Sequence, residues 1–381
     1  MTTKHLEEKF EALYGGKPTI ARAPGRINLI GEHTDYNEGF VMPAAIDKEI
    51  VCLLEPNKSK TVKAYAIDLE EEAEFGLEEI KATEGWINYV KGVVAELMAK
   101  GVKVEGFNLV MGGDVPLGAG LSSSAALECA LATGLNEIFK GGLDKKSLAL
   151  VGQAAEHHYA GVKCGIMDQF ASTFGEKDKV IKLDCRSQEI ALFPLNTGGF
   201  KWVLCDTGVS HSLASSEYNT RREQCEAGVA ILKKYDKSIN SLRDVSLDLL
   251  KAHRSEFDPV IYKRCEFVIN ENNRVEAAAK ALSKNELFEL GKLIYASHDG
   301  LQNDYEVSCK ELDFLVDITR EYENVFGARM MGGGFGGCTI NLVKAAAVDQ
   351  FIAAISEAYK QEMGIALKTY TVVTGEGARV E

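Results

Sequence analysis

The sequence predicts an α+β protein built in two parts, and three observations carry that expectation. At 381 residues the chain is longer than one typical core and short for three. Its first half mixes strand-like and helical runs. From about Phe200 long helical stretches take over and lead to a closing strand–helix–strand order, so the division is expected as residues 1–197 and 198–381.

Taken in order, MTTKHLEEKFEALYGG is charged and amphipathic, with Leu6, Phe10 and Leu13 at helical spacing, and does not read as a signal peptide. Strand-like runs follow at 19–23, 49–55, 61–67 and 107–111. Before the last of these, Trp86, Tyr89, Val90, Val93, Val94 and Leu97 recur as the apolar stripe of a helix. A second helix opens after Gly120, with Leu127, Leu131, Leu135 and Ile138 as its stripe and the serines at 122–124 as candidate caps. In the second half KWVLCDT is a strand, and helical faces run through Ile261, Cys265 and Val268 and through Leu287, Leu290 and Ile294. A strand at 339–343, a helix at 345–363 and a strand at 367–373 complete the chain, without internal repeats or low-complexity segments.

Composition sets limits on partners. A chain of this length buries roughly three quarters of its unfolded surface, so it needs neither disulfides nor metal to fold. The net charge of −13 repels phosphate backbones and anionic lipid, which makes nucleic acid and membrane unexpected partners. Nine scattered cysteines without a CxxC pair suit free thiols in a reducing compartment, and no stretch reaches the roughly eighteen apolar residues of a membrane span. A cytoplasmic protein, acting as a monomer, is expected.

Three segments carry chemistry. In GGDVPLGAGLSSSAALECALATGLNEIF a glycine-containing loop meets a helix start. The amides there lack intrahelical partners, and the helix dipole adds positive potential, so the loop suits phosphate; a serine-capped turn is the alternative. Gly118 and Gly120 allow the backbone to close around oxygens. No GK[ST] occurs, so this is not a Walker A loop. In ARAPGRINLIGEHTDYNEGFVMPAAID, Arg26, Glu32, His33 and Asp35 fall within ten residues, and carboxylates with an imidazole suit a polyhydroxylated ligand; a solvated loop is the alternative. In KCGIMDQFASTF, Asp168 stands near a helix start, either as an N-cap or as a base for a hydroxyl proton in phosphoryl transfer. The run MGGGFGGCTINLV contains G-x-G-x-x-G, but strand-like residues follow where a dinucleotide fingerprint requires a helix.

Together these segments resemble the galactokinase family within the GHMP small-molecule kinases. GRINLIGEHTDY (25–36) is similar to the family's sugar signature and PLGAGLSSSAA (116–126) to its ATP-binding motif. CGIMDQF (164–170), MGGGFGGC (331–338), SEYNTRREQC (216–225) and DYEVSCKELD (304–313) resemble further motifs, in the family's order and across nearly the whole chain. The chain departs from the pattern at Lys163 and Lys310, where proline is common, and at Gly300, where serine is common.

The resemblance implies a ribosomal-protein-S5-like N-terminal domain packed on a ferredoxin-like C-terminal domain, with the active site between them. It implies phosphoryl transfer from ATP to the C1 hydroxyl of galactose. Asp168 and Arg26 would be catalytic. Glu32, His33, Asp35, Gly165 and Tyr218 would bind the sugar, with Asp35 reading the axial C4 hydroxyl. The loop residues Gly118, Ala119, Gly120, Leu121, Ser122, Ser123 and Ser124 would wrap the triphosphate, and Ser124 with Glu156 would hold Mg²⁺, which takes few protein ligands. His157 and His158 are expected to belong to the helix around Glu156 rather than to the metal. A related kinase acting on N-acetylgalactosamine or arabinose stays open, as does a non-catalytic galactose sensor, although such sensors lose serine-loop residues that this chain keeps. A nicotinamide-dependent oxidoreductase would have to rest on the glycine run alone.

Overall fold

A computed structural model describes residues 3–116, 118–195, 197–210 and 214–381 of the chain. Helix α1 (Lys4–Tyr14) precedes the strands β1 (Thr19–Asn28), β2 (Phe40–Val41), β3 (Pro43–Pro56), β4 (Thr61–Ala66) and β5 (Glu71–Gly76). Then come α2 (Ile87–Ala99), β6 (Phe107–Gly113), α3 (Ser123–Ile138), α4 (Lys145–Ala155), α5 (Met167–Phe174), β7 (Lys179–Asp184) and β8 (Ile190–Pro194). The second part holds β9 (Phe200–Ser210), α6 (Ala214–Leu232), α7 (Leu247–Ala252), α8 (Pro259–Ser283), α9 (Leu287–Asn303) and α10 (Lys310–Thr319). It closes with β10 (Val325–Met330), β11 (Gly336–Lys344), α11 (Val348–Met363), β12 (Lys368–Val372) and β13 (Arg379–Val380).

The larger sheet runs β13-β1-β3-β6-β4-β5 and is antiparallel except where β4 lies parallel to β6. Alternation along β3 gives it two apolar faces. Cys52 and Leu54 face the main core under α3, while Val51 and Leu53 pack on Leu6 and Phe10 of α1. Leu13, expected on the same stripe, is exposed. The expected strand at 19–23 continues to Asn28, because Pro24 sits where the pairing with β3 shifts register between Pro24 and Arg26, and a bulge tolerates a residue without an amide donor. Strand β5, not anticipated, is an edge whose glutamates read as a solvated run. Strands β7 and β8 form a small separate sheet with β2.

The second sheet runs β10-β11-β9-β12, fully antiparallel. The chain order β9, helices, β10, β11, α11, β12 is the β-α-β-β-α-β arrangement of a ferredoxin-like fold, with α6 to α10 filling the first crossover. The division at 197/198 does not sort the sheets cleanly. Residues 379–380 return as β13 to pair with β1 in the larger sheet, and Trp202, Leu204, Ile340 and Leu342 share one core with Ala21, Cys52 and Leu131. The helix expected over 345–363 opens as a single 3-10 turn at Ala345–Ala347 before α11.

Four pieces of backbone converge between the sheets: the turn after β1, the loop and first turn of α3, the first turn of α5, and the β10–β11 connection. Loop and strand are tied directly, since the Arg26 amide donates to the Leu121 carbonyl at 3.1 Å. A Cβ on Gly25 would lie 2.7 Å from that same oxygen, so only glycine permits this approach.

Candidate active site

The loop before α3 reaches its helix through three residues in the left-handed region: Gly118 (φ +76), Gly120 (φ +74) and Ser122 (φ +58). Ser122 occupies the N-cap position but its hydroxyl caps nothing; it donates instead to Asp168 Oδ2. The first amides of α3 are thereby left for an external acceptor, as an anion site requires. Ala119 and Leu121 bury their side chains in the core, so they can meet a ligand only through their backbone. The serines do not cap α3 in the way their spacing suggests.

Asp168 is the second residue of α5 and makes no cap either. Both its oxygens accept from Arg26, Oδ1 from Nε at 2.9 Å and Oδ2 from Nη2 at 3.0 Å, the paired geometry in which a guanidinium grips a carboxylate. The third nitrogen of Arg26 donates to the Gly120 carbonyl. Arg26 is therefore more than a nearby cation. It fixes the carboxylate of α5 against the glycine loop.

Around this pair lies a cavity of about 170 Å³ lined by Arg26, Glu32, His33, Asp35, Asp168 and Tyr218, with Glu156, Cys164, Gly165 and the Gly332–Gly333 backbone closing it. That is below the ~300–1,000 Å³ of drug-sized sites, and Arg26, Glu32, His33, Asp35, Glu156 and Asp168 bring ionisable groups together on it. The turn carrying Glu32, His33 and Asp35 is held by Thr34, whose single hydroxyl hydrogen is shared between the carbonyls of Phe40 (2.6 Å) and Gly31 (2.9 Å). His33 adopts φ +60, a conformation non-glycine residues keep only when their surroundings impose it. Its Nδ1 is 2.8 Å from the Tyr36 hydroxyl, which lies 2.8 Å from that of Tyr305. Its Nε2 is buried without a partner. Glu32 has one oxygen committed, accepting from Arg329 Nη2 at 3.0 Å and from the Gly332 amide at 2.8 Å. Arg329 is fully buried and also donates to the carbonyls of Asn28 and Leu29, so it joins β10 to the end of β1.

Burial sets the charge states. It pushes the Asp35 carboxyl up to about 7, with the negative charge of Asp168 adding to the effect, and pushes the His33 imidazole down to about 3. Glu156 is likewise raised to about 7 by burial and then by Asp168. His33 is thus neutral at physiological pH.

Glu156 begins a π-helical turn, Glu156–Ala160, that ends α4, a distortion often found at functional sites. Its Oε1 accepts from Ser124 Oγ at 3.1 Å. A hydroxyl and a carboxylate are the hard oxygen donors magnesium takes, and their position beside a second carboxylate, Asp168, favours a cation there. His157 and His158 are engaged elsewhere, with the Cys164 carbonyl and with Glu96, both at 2.8 Å. Among the described residues no cluster of three or more His, Cys, Asp or Glu is arranged to hold a metal.

A second cavity, of about 260 Å³ and mainly apolar, opens on the other side of the α3 N-terminus. Trp86, Tyr89, Leu69, Met111 and Leu127 line it, together with Ser123 and Ser124. Trp86 and Tyr89 fall on the apolar stripe that helical spacing predicts, and periodicity alone does not distinguish a half-buried cavity wall from a core. A third space of about 110 Å³, bounded by Gly118, Gly120 and the glycines at 333, 334, 336 and 337, lies between the loop and the β10–β11 connection. That connection is a turn between antiparallel strands, as expected, and not a dinucleotide fingerprint.

The galactokinase galactose-binding signature matches residues 8–56, the GHMP kinases N terminal domain residues 88–176, and the GHMP kinases C terminal domain residues 278–361. A galactokinase of Chloroflexus aurantiacus is 43% identical over 375 residues, covering 98% of this chain and 96% of that protein. One from Thermosipho africanus is 40% identical over 356 residues, covering 93% and 98%. Among solved structures, Lactococcus lactis galactokinase complexed with galactose superposes with a TM-score of 0.95 at 36% identity, covering 100% of each chain. Methanococcus jannaschii mevalonate kinase shares the fold alone, with a TM-score of 0.68 at 17% identity over 95% of this chain and 99% of that one.

Proposed function

The chain belongs to the galactokinase family of GHMP kinases, and from that premise we propose how its residues transfer the γ-phosphoryl group of ATP to the C1 hydroxyl of galactose. The observation that carries the proposal is the meeting of two cavities. Ser124 lines the apolar one, Glu156 lines the polar one, and the two side chains are hydrogen-bonded across the start of α3.

Adenine occupies the apolar cavity beside Trp86 and Tyr89, where flat aromatic walls suit a π-face. The triphosphate crosses the amides from Gly118 to Ser124. Ser124 and Glu156 would hold Mg²⁺, which would supply positive charge to offset that of the phosphates. Galactose fills the polar cavity. Asp35 reads the C4 hydroxyl, His33 offers its Nε2 to another, Glu32 keeps one uncommitted oxygen, and Tyr218 and Gly165 complete the lining.

In the transfer, the C1 oxygen forms a bond to the γ-phosphorus as the bond to the bridging oxygen of ADP breaks, and the hydroxyl proton passes to Asp168. A loose transition state asks little of a base beyond alignment, and alignment is what Arg26 and Ser122 supply. Arg26 also places positive charge beside the equatorial oxygens as they become more negative. The chain divides at 197/198 into the family's N- and C-terminal domains, with β13 as a strand returned to the first.

The test is a comparison of ADP release with galactose, glucose, N-acetylgalactosamine and arabinose as acceptors, with the product identified by NMR. Galactose 1-phosphate as the preferred product is expected. A preference for glucose would remove Asp35 from its role, and no ADP release with any sugar would leave a sugar sensor.

A further inference from the structure

Directly after Asp168 stands Gln169, a fully buried residue to which the transfer reaction assigns nothing. Its Nε2 donates to Glu156 Oε2 at 3.0 Å and to Glu128 Oε2 at 3.1 Å. An amide nitrogen carries two hydrogens, and here each meets a different carboxyl. Because the Ser124 hydroxyl holds the other oxygen of Glu156 at 3.1 Å, the carboxyl is gripped from two helices at once. Space for this arrangement comes from α4: a Cβ on Gly152 would lie 3.1 Å from Gln169 Cγ and 3.3 Å from Glu128 Cβ.

Glu128 is the more telling member. It sits one turn beyond Ser124 on α3 and has no accessible surface, and among the described residues it makes no ion pair and finds no partner for Oε1. A buried carboxyl in that state costs stability that an apolar side chain of similar volume would not. What it contributes is an anchor for the far side of the Gln169 amide. Glu156 needs one, since it stands at the first residue of a π-turn where the regular ladder of α4 slips.

We propose that Gln169 is a positioning residue for the divalent cation, orienting Glu156 through a buried carboxyl–amide–carboxyl chain anchored on Glu128. The proposal rests on the reading of Ser124 and Glu156 as the metal's ligands. One turn of α5 then presents Asp168 to the sugar and Gln169 to the metal ligand, so base and cation are mounted on the same rigid element. Residues behind a ligand tune metal affinity because they fix the ligand's direction and basicity.

The experiment uses the full chain with Mn²⁺ as the probe, following Mn²⁺ retained in the complex with ADP and galactose by electron paramagnetic resonance. Galactose affinity is measured separately by calorimetry without metal. Gln169→Met keeps the volume and removes the donor. It is expected to weaken Mn²⁺ retention by ~10- to 100-fold, the usual effect of losing a ligand's supporting partner, with galactose affinity unchanged within about twofold. Unchanged Mn²⁺ retention in Gln169→Met, with loss in Glu156→Gln, would overturn the proposal and leave the metal site standing. Unchanged retention in Glu156→Gln as well would remove the metal site itself. Should Gln169→Met fail to bind galactose, the Glu128 variants decide. Glu128→Gln retains an acceptor and should keep Mn²⁺, whereas Glu128→Leu should lose it. Equal behaviour of the two would overturn the proposal.

Discussion

Gly165 lacks a side chain because the Asp35 carboxylate occupies the place one would take: an ideal Cβ there would overlap Asp35 Oδ2. Two residues 130 positions apart in the chain thus fix one wall of the cavity beside Asp168, and the glycine is needed for space rather than for backbone freedom. Gly165→Ala is expected to displace Asp35 and weaken galactose binding by at least ~10-fold, about the effect of misplacing one buried hydrogen-bonding group. ATP binding should change little. Calorimetric titration with each ligand checks both, and an undiminished galactose affinity would contradict the packing.

As the proposed sugar ligand, Asp35 is expected to give binding a pH dependence. Its folded carboxyl titrates near 7 against an ordinary value of 3.8. A raised acid contributes stability that is complete below the unfolded value and is lost as pH rises through the folded one, so the empty protein should lose this contribution between about pH 4 and pH 7. A carboxylate that accepts from the sugar behaves in the opposite sense. Galactose affinity should rise as pH increases through about 7, and Asp35→Asn should bind weakly with a flat profile. A wild-type profile that is flat from pH 6 to about pH 8 would contradict this assignment.

Asp168→Asn keeps shape and two acceptor or donor positions but gives up the charge that Arg26 grips. Turnover should fall by ~10² to 10⁴ while galactose affinity stays within a few-fold. Stopped assays with the purified variant measure the first and calorimetry the second. A normal turnover number would remove Asp168 from the mechanism.

Lys310 is the first residue of α10, where an amide has no helical partner and proline costs no hydrogen bond. Cys309 before it is extended (φ −142, ψ 167), the conformation proline imposes on its predecessor. Lys310→Pro should raise stability by ~0.4–1 kcal/mol through the unfolded chain, read as a shift in denaturant midpoint at constant slope. Gly300 behaves differently: its missing Cβ would lie 2.8 Å from the Phe267 ring, so Gly300→Ser should destabilise.

What the sequence made legible was what short-range pattern encodes. The stripes of α2 and α3, the strands β4 and β6, and the glycine–serine loop all follow from local spacing, and the placement of Arg26 beside Asp168 follows from motif resemblance. Features set by distant contacts were not legible. Ser122 looked like a cap because nothing local reveals Asp168 waiting 46 residues on to take its hydroxyl. Trp86 and Tyr89 obeyed helical periodicity while lining a cavity, and β13 was invisible because two residues carry no pattern until β1 offers its edge. Arg329 gave no signal at all, and Gln169 stood in the CGIMDQF run without a reading of its own; their contacts come from partners on other elements.

Sugar and nucleotide are expected to meet at the start of α3, between Asp168 and the Gly118–Ser124 loop. A crystal structure with galactose and a non-hydrolysable ATP analogue is the decisive test. The C1 hydroxyl should lie within ~2.6–3.2 Å of an Asp168 oxygen, with the terminal phosphate over the loop amides and adenine beside Trp86. Phosphates bound away from that loop, or a sugar whose C1 faces away from Asp168, would contradict it.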